Sequence, residues 1–403
     1  MSARTNLWIV MFITLIGTIG IALPYPILSP LFLNSESAIN QFMGLDPYWL
    51  LGIALATYPL GLLIGGEWLG RQSDRLGRKP VLLWSLLASV VAHGLCVWAL
   101  LEESFVLFAL TRLLTGILEG NISVARAIVT DLNDASTKTV AFSYVSSASY
   151  AGWFLGPFIG GYSADLGFHA PFVIAALLNL AAFVFVLTSL EESHQPAPAS
   201  VSTQQVSSPF WRTPYLKTFV AIQFLLLLAV NIYYEFYPVY LVVQWQSSPQ
   251  TLSHATMIAT SAMMLCSLLF IPRWATKISK EILFAGGAIL TGFSFIIFTL
   301  PTTENATLFT FLLSGFCISL YASISNAWFS DRFPQLQQGR LMGTLVANFC
   351  LANIVAALAG SWLASLSITL LLVLAGIAAI VSGLLLIIAF DYQTKQSLTH
   401  QTS

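Results

Sequence analysis

The chain has 403 residues, 57% of them hydrophobic and only 8% charged, with a formal net charge of −1 and a mean hydropathy of +0.81. Soluble domains carry about one-quarter charged residues, so a soluble fold is excluded and an integral membrane protein is expected. There is no basic tail, and no nucleic acid is expected as a partner.

The apolar stretches are long and continuous, which predicts spanning helices rather than a barrel. Twelve are counted, at 6–33, 47–69, 79–101, 105–131, 139–164, 170–190, 216–244, 252–274, 281–301, 305–330, 340–364 and 367–390. Each is long enough to cross about 30 Å of hydrocarbon with some tilt. The expected fold class is all-α: a polytopic membrane protein with twelve transmembrane helices in two six-helix halves. The first stretch, from Leu7 to Leu33, is too long for a signal-peptide core and lacks a small-residue cleavage site, so it is read as helix 1. Within it Tyr25 lies between Pro24 and Pro26, where the helix should break and offer a cavity wall.

The most charged run, Gly70 to Lys79, follows the second stretch. Its four cations, Arg71, Arg75, Arg78 and Lys79, mark a cytoplasmic loop. Gly77 tolerates the positive φ of a tight turn, and Pro80 suits the first turn of the next helix. Asp74 is read as an ion-pair partner for a neighbouring helix end, and Glu67 as support for the same gate. Arg112, Glu119 and Arg126 follow at intervals of seven, which puts all three on one stripe if 105–131 is a single helix. Ionisable groups inside a span are costly and face a polar cavity or one another. An ion-pair ladder is the structural alternative to a functional site here.

Helix 5 carries Gly152, Gly156, Pro157, Gly160 and Gly161. Small residues let helix backbones approach closely, and the proline bends the helix. Residues 191–215, rich in Ser, Gln and Pro, read as a cytoplasmic linker between bundles at 1–190 and 216–390, with a cytoplasmic tail at 391–403. In helix 7, Asn231 and Glu235 lie one turn apart beside Tyr234, just before Pro238. Glu235 is read either as a functional acid or as a hydrogen-bonded structural one at the kink. Tyr144, Tyr150 and Asn326 are further candidate contacts, with Asn348 and Asn353 as polar groups of helix 11. Cys96, Cys266, Cys317 and Cys350 have no metal-ligand spacing and are expected as small core residues. No cofactor or metal site is expected, and nothing points to an enzyme.

Fourteen of the 16 Lys and Arg fall on one side of this topology, and the other two, Arg112 and Arg126, are inside helix 4. The opposite loops carry only acids: Glu36, Asp46, Glu102, Glu103, Asp165 and Glu304. The positive-inside rule then places both termini in the cytoplasm.

Gly70, Asp74, Arg75, Gly77, Arg78 and Lys79 fit the pattern Gly, three residues, Asp-Arg, one residue, Gly-Arg-Arg/Lys. This run resembles the loop between the second and third helices of the major facilitator superfamily. Arg112 with Gly116 and Gly120 resembles the family's fourth-helix pattern, whose arginine is implicated in proton coupling. The helix-5 glycines and Pro157 resemble the motif of the drug/proton antiporter branch. His169-Ala170-Pro171-Phe172 and Ala176 to Asn179 are similar to its tetracycline exporters. The resemblance covers most of residues 1–190 and is thinner beyond. One departure stands out: the exporters' helix-1 acid corresponds here to Gly17, so Glu119 or Glu235 is the expected proton carrier.

The resemblance implies a monomeric, multi-pass secondary transporter, placed by it in a bacterial inner membrane. It would move a small organic molecule by alternating access, with proton-coupled export as the leading reading. Its partners would be substrate, protons and the lipid bilayer. The arginines of helix 4 support an alternative substrate, an anionic metabolite such as a polycarboxylate or siderophore. A non-transporting ligand receptor of the same fold is the second alternative. For the gate, Asp74 is expected near the start of helix 11, and Arg78 near Asp131.

Overall fold

The computed structural model describes residues 3–34, 37–130, 135–192, 213–274, 276–334, 336 and 338–402. Among the described residues every regular element is helical. The first half comprises α1 (Ala3–Ala22), α2 (Tyr25–Leu33), α3 (Pro47–Leu76), α4 (Arg78–Leu101), α5 (Phe105–Glu119), α6 (Ile122–Thr130), α7 (Ala135–Ser163) and α8 (Ala170–Ser189). The second comprises α9 (Leu216–Trp245), α10 (Pro249–Leu265), α11 (Ile271–Trp274), α12 (Lys280–Phe298), α13 (Glu304–Arg332), α14 (Gln338–Leu366) and α15 (Ile368–Thr402). Eleven spans among the described residues are long and apolar enough to cross a membrane, and α7, with 29 residues, occupies the remaining expected position.

Several helices start where a short polar side chain satisfies a free backbone N–H. Asp46, Ser104, Ser279 and Thr303 cap α3, α5, α12 and α13 in this way. The break between α1 and α2 falls at Leu23–Pro24, as the paired prolines predict.

Two expectations need correction. The fourth span is two helices rather than one, because the chain turns at Gly120 and Asn121 between α5 and α6. The charged run is helix rather than loop: α3 continues through Leu76 and α4 starts at Arg78. Gly77 alone makes the corner, at φ 99° and ψ 158°, a conformation a side chain would strain. Glu67–Arg71 bridges successive turns of α3, and Asp74–Arg78 bridges the corner from α3 to α4. In α10–α11, Cys266–Phe270 forms a π turn.

By contacts the chain divides into two compact units. One is Met1–Thr203 with Leu241–Met257; the other is Gln204–Tyr240 with Ile258–Ser403. In the first, α3 packs on α5, α1 on α7, and α4 on α8 and α5. A cluster of buried apolar residues from α1, α4, α6 and α8, including Ile13, Leu86, Ile128 and Val186, fills its interior. In the second, α12 packs on α13 and α15. Tyr233 stacks on Phe295 with centroids 4.1 Å apart, edged by Phe298 at 5.3 Å. The four cysteines are free and buried.

Candidate functional site

The crossing of α3 and α5 builds the core of the site. A methyl on Gly61 would meet the Leu113 carbonyl oxygen at 2.2 Å, and one on Gly116 would meet that of Tyr58 at 2.2 Å. The two backbones therefore touch, as small residues permit in a membrane. That approach brings Tyr58 of α3 to Glu119 at the end of α5. The Tyr58 hydroxyl donates to Glu119 Oε2 at 2.7 Å, and His93 Nε2 of α4 pairs with Oε1 at 2.8 Å. The His93 and Glu119 side chains are 0% and 2% exposed. Gly20 of α1 lies against the carboxylate, with an ideal Cβ there 3.4 Å from Oε1.

Arg112 lies two turns earlier on α5 and is also buried. Its guanidinium sits over the Tyr58 ring, 4.6 Å from the centroid, with Phe172 of α8 at 5.9 Å. Its Nε and Nη1 have no hydrogen-bond partner. The alternative of an ion-pair ladder finds no Arg112–Glu119 pair among the described residues. Glu119 takes its hydrogen bonds from Tyr58 and His93, and Arg112 rests on aromatic faces. Glu119 therefore has two hydrogen-bonding neighbours inside the span. The turn at Gly120–Asn121 breaks the stripe before Arg126, whose side chain lies outside the described residues. Asn121 instead donates to Ser85 Oγ at 3.3 Å.

At the charged corner, Arg78 Nη1 donates to Ser73 Oγ at 2.7 Å and to Asp74 Oδ1 at 2.5 Å. Asp74 thus pairs within its own run. Asp131, the other expected partner, lies outside the described residues. Glu192, just after α8, accepts from the backbone N–H of Arg78 at 2.9 Å and of Lys79 at 3.0 Å. Its carboxylate fills the space beside Gly77, where a Cβ would lie 2.6 Å from Oε2. An anion at a helix N-terminus is favoured by the free amides and the macrodipole. Arg75 and Arg71 are exposed, and Gly70 has room beside Ser123.

The helix-5 glycines lie in α7. Methyls on Gly152 and Gly156 would each meet α1, at Thr18 Cβ and Ala22 Cβ, both at 2.6 Å. One on Gly160 would meet the Leu23 carbonyl oxygen at 2.0 Å. Gly161 faces another segment of the same unit, with Ser253 Oγ at 1.8 Å and the Pro249 oxygen at 2.5 Å from the ideal Cβ. Ser253 Oγ donates to the Pro157 carbonyl at 2.6 Å. Gln250 Nε2 donates to Asp165 Oδ1 at 2.5 Å, and Tyr162 Oη lies 2.9 Å from His254 Nε2. Tyr25 meets Trp153 edge to face at 5.4 Å. Tyr150 is exposed, and the Tyr144 side chain lies outside the described residues.

In the second unit Glu235 is 3% exposed, and neither carboxyl oxygen has a hydrogen-bond partner. No protein hydrogen bond of the kind a structural acid at the kink would make reaches its carboxyl oxygens. Asn231 Oδ1 accepts from Asn353 Nδ2 at 3.1 Å, while its own Nδ2 is unpartnered. Tyr234 donates to Met263 Sδ at 3.2 Å. Asn348 donates to Gln223 Oε1 at 3.2 Å. Asn326 is exposed. Ser267, in the π turn, lies 2.8 Å from Ser319 Oγ and 3.0 Å from Ser323 Oγ.

Sequence reasoning missed Tyr58, His93, Glu192 and Ser253. His93 carried a usable signal, an ionisable side chain inside an apolar stretch. The others gave none, because their partners lie between 61 and 114 residues away in the chain.

The family model described as Major Facilitator Superfamily matches residues 7–268 and 219–402. The tetracycline resistance protein, class B, of Escherichia coli is 35% identical over 188 residues, 46% of this chain and 44% of that protein. The class D protein of Salmonella ordonez is 34% identical over 203 residues, 50% of this chain and 48% of that protein. The chain thus spans about half the length of these two relatives. The class G protein of Vibrio anguillarum is 26% identical over 376 residues, 89% of this chain and 92% of that protein. Among solved structures, a D-xylose-proton symporter has a TM-score of 0.78 at 17% identity, covering 95% of this chain and 97% of that one. The human organic anion transporter MFSD10 (TETRAN) has 0.69 at 19%, covering 96% and 100%. At these identities the likeness to both structures is one of fold.

Proposed function

The chain belongs to the Major Facilitator Superfamily, and we propose that it is a proton-coupled exporter of lipophilic drug-like molecules, working by alternating access. It is a multi-pass membrane transporter and not an enzyme. The observation that carries the proton-coupled reading is the buried cluster of Tyr58, His93, Arg112 and Glu119 inside spanning helices. Ionisable groups at such depth mark ion or proton pathways. The partial matches to the tetracycline resistance proteins support export, as do the α7 glycines in backbone contact with α1. Glu235, buried without a partner, is the candidate contact for a cationic part of the substrate. The bacterial inner membrane, with both termini cytoplasmic, is part of the same proposal.

A second substrate reading rests on Arg112. Its unpartnered Nε and Nη1 suit a carboxylate, which would favour an anionic substrate. Proteoliposomes loaded with tetracycline, and separately with an organic dianion, distinguish the readings. The expected outcome is pH-gradient-driven movement of tetracycline, abolished in Arg112→Ala. Movement of the dianion alone would replace the drug reading with the anion reading. Binding of either compound without counterflow would mark a receptor.

A further inference from the structure

Glu119, the acid that stands out in the sequence, is poorly placed to release and regain a proton. Each of its oxygens already faces a donor, the Tyr58 hydroxyl on Oε2 and the His93 ring on Oε1. The hydrogen-bond inventory of the three side chains then limits where a proton can sit. With Glu119 ionised, Tyr58 O–H and His93 Nε2–H both donate to it, no donor of the three is left unmet, and His93 Nδ1 keeps a lone pair without a partner. With Glu119 protonated on Oε1, His93 Nε2 must accept, and Nδ1 carries a buried N–H that has no partner. With Glu119 protonated on Oε2, the Tyr58 oxygen must accept across the 2.7 Å contact and the Tyr58 hydrogen turns away from Glu119. A buried unmet donor is costly, so the first arrangement fits this closed geometry; one more proton on the His93–Glu119 pair, wherever the Nε2–Oε1 hydrogen sits, places an N–H on Nδ1, which then needs water as its partner.

That arrangement is also balanced in charge. Arg112 lies over the ring of the tyrosine that bonds Glu119, and its guanidinium does not lose its proton. One cation and one anion are held together where water is excluded. Nδ1 of His93 is left without a hydrogen-bond partner, and an imidazole can take up a second proton there.

The other groups around His93 do not compete for this role. On its own helix Cys96 is buried near Arg112 and Glu119. Across from it α5 brings Arg112 and Glu119, and α3 brings Tyr58. Helix α8 contributes the Phe172 ring, at 6.4 Å, and Asn179, neither titratable. The break before α6 contributes Asn121, and the Arg126 side chain beyond it lies outside the described residues. Tyr25 of α2 lies within electrostatic reach of Tyr58.

We propose that the transported proton binds Nδ1 of His93, while Glu119 stays ionised beside it as a fixed counter-charge. The proton adds to the Nδ1 lone pair from water, giving an imidazolium bound to the Glu119 carboxylate, and leaves from the same nitrogen. His93 is fully buried in this structure, so loading and release belong to conformations that bring water to it. The proposal rests on the proton-coupled reading above.

Solid-state NMR of the full chain in lipid bilayers, with ring-15N histidine and 13C-carboxyl glutamate, tests it directly. On acidification a buried histidine in contact with labelled Tyr58 should gain its second N–H, while the Glu119 carboxyl signal stays ionised. His254→Gln should leave that titration in place. Protonation of Glu119 over the same range, with His93 held in one neutral form, would overturn the proposal. This arm uses wild-type side chains at the site and does not depend on a variant folding. In proteoliposomes, His93→Gln and His93→Asn should keep tetracycline counterflow and lose the response to a pH gradient. A full gradient response in either variant overturns the assignment to His93 but leaves proton coupling standing. A wild-type protein indifferent to the gradient overturns proton coupling itself, and the NMR titration then decides separately which group holds the proton.

Discussion

Two buried acids in this chain have opposite surroundings, and their replacement should have opposite effects on stability. Glu119 accepts from Tyr58 and His93, so Glu119→Gln leaves at least one neighbouring group poorly matched. A loss of about 1–3 kcal/mol is expected, with Tyr58→Phe costing less, about 1 kcal/mol. Glu235 has no hydrogen bond to lose. Glu235→Gln should leave thermal stability unchanged or raised, because a buried acid without a partner is itself a cost. Thermal unfolding of purified variants in detergent, followed by intrinsic tryptophan fluorescence, measures all three. A drop for Glu235→Gln as large as that for Glu119→Gln would mean that Glu235 has a structural partner. At this scale the sequence was informative about which residues matter and poor about what they touch. Arg112, Glu119 and Glu235 stand out as charges in apolar stretches. That Glu119 meets a tyrosine 61 residues away, and Arg112 an aromatic face, follows only from how closely α3 and α5 cross.

Helix boundaries were legible where proline or a short polar cap marks them, as at Pro24 and Ser104. The regular spacing of Arg112, Glu119 and Arg126 argued for one helix and masked the Gly120–Asn121 turn. The helix-5 motif divides its work, which spacing alone did not indicate. Gly152 and Gly156 admit α1 and Gly160 admits Leu23 just beyond it, whereas Gly161 admits the start of α10. A Cβ at 161 would overlap Ser253 Oγ and the Pro249 backbone oxygen, so Gly161→Val should displace Leu241–Met257 from α7. In a cysteine-free protein, Tyr162→Cys with His254→Cys should cross-link with a short bifunctional reagent, and adding Gly161→Val should abolish it. Ser253→Gly should restore only part of the cross-link to Gly161→Ala, because Pro249 O remains 2.5 Å away. An undiminished cross-link in Gly161→Val would show that this contact yields to a side chain.

For the whole molecule, length and hydropathy were enough to place the spans, because a helix must match the hydrocarbon thickness whatever its neighbours are. Orientation rests on a separate quantity, the sidedness of the cations. Fourteen Lys and Arg lie on one side of the topology and none in the opposite loops, which carry six acids. The insertion bias depends on Lys and Arg near the span ends rather than on net charge, so a formal charge of −1 hides a strong vectorial signal. Reporter fusions read it directly. A green fluorescent protein fused within residues 193–212, or after Ser403, should be fluorescent, since it folds only on the cytoplasmic side. Alkaline phosphatase fused after Glu103 or after Thr303 should be active, since it needs the oxidising far side. The charged corner supplies four of the fourteen cations. Replacing Arg71, Arg75, Arg78 and Lys79 together by glutamine should lower the phosphatase signal at Glu103 more than at Thr303, because short-range loop charge acts on the nearest spans. Active phosphatase in the 193–212 fusion would reverse the orientation and, with it, the direction assigned to export.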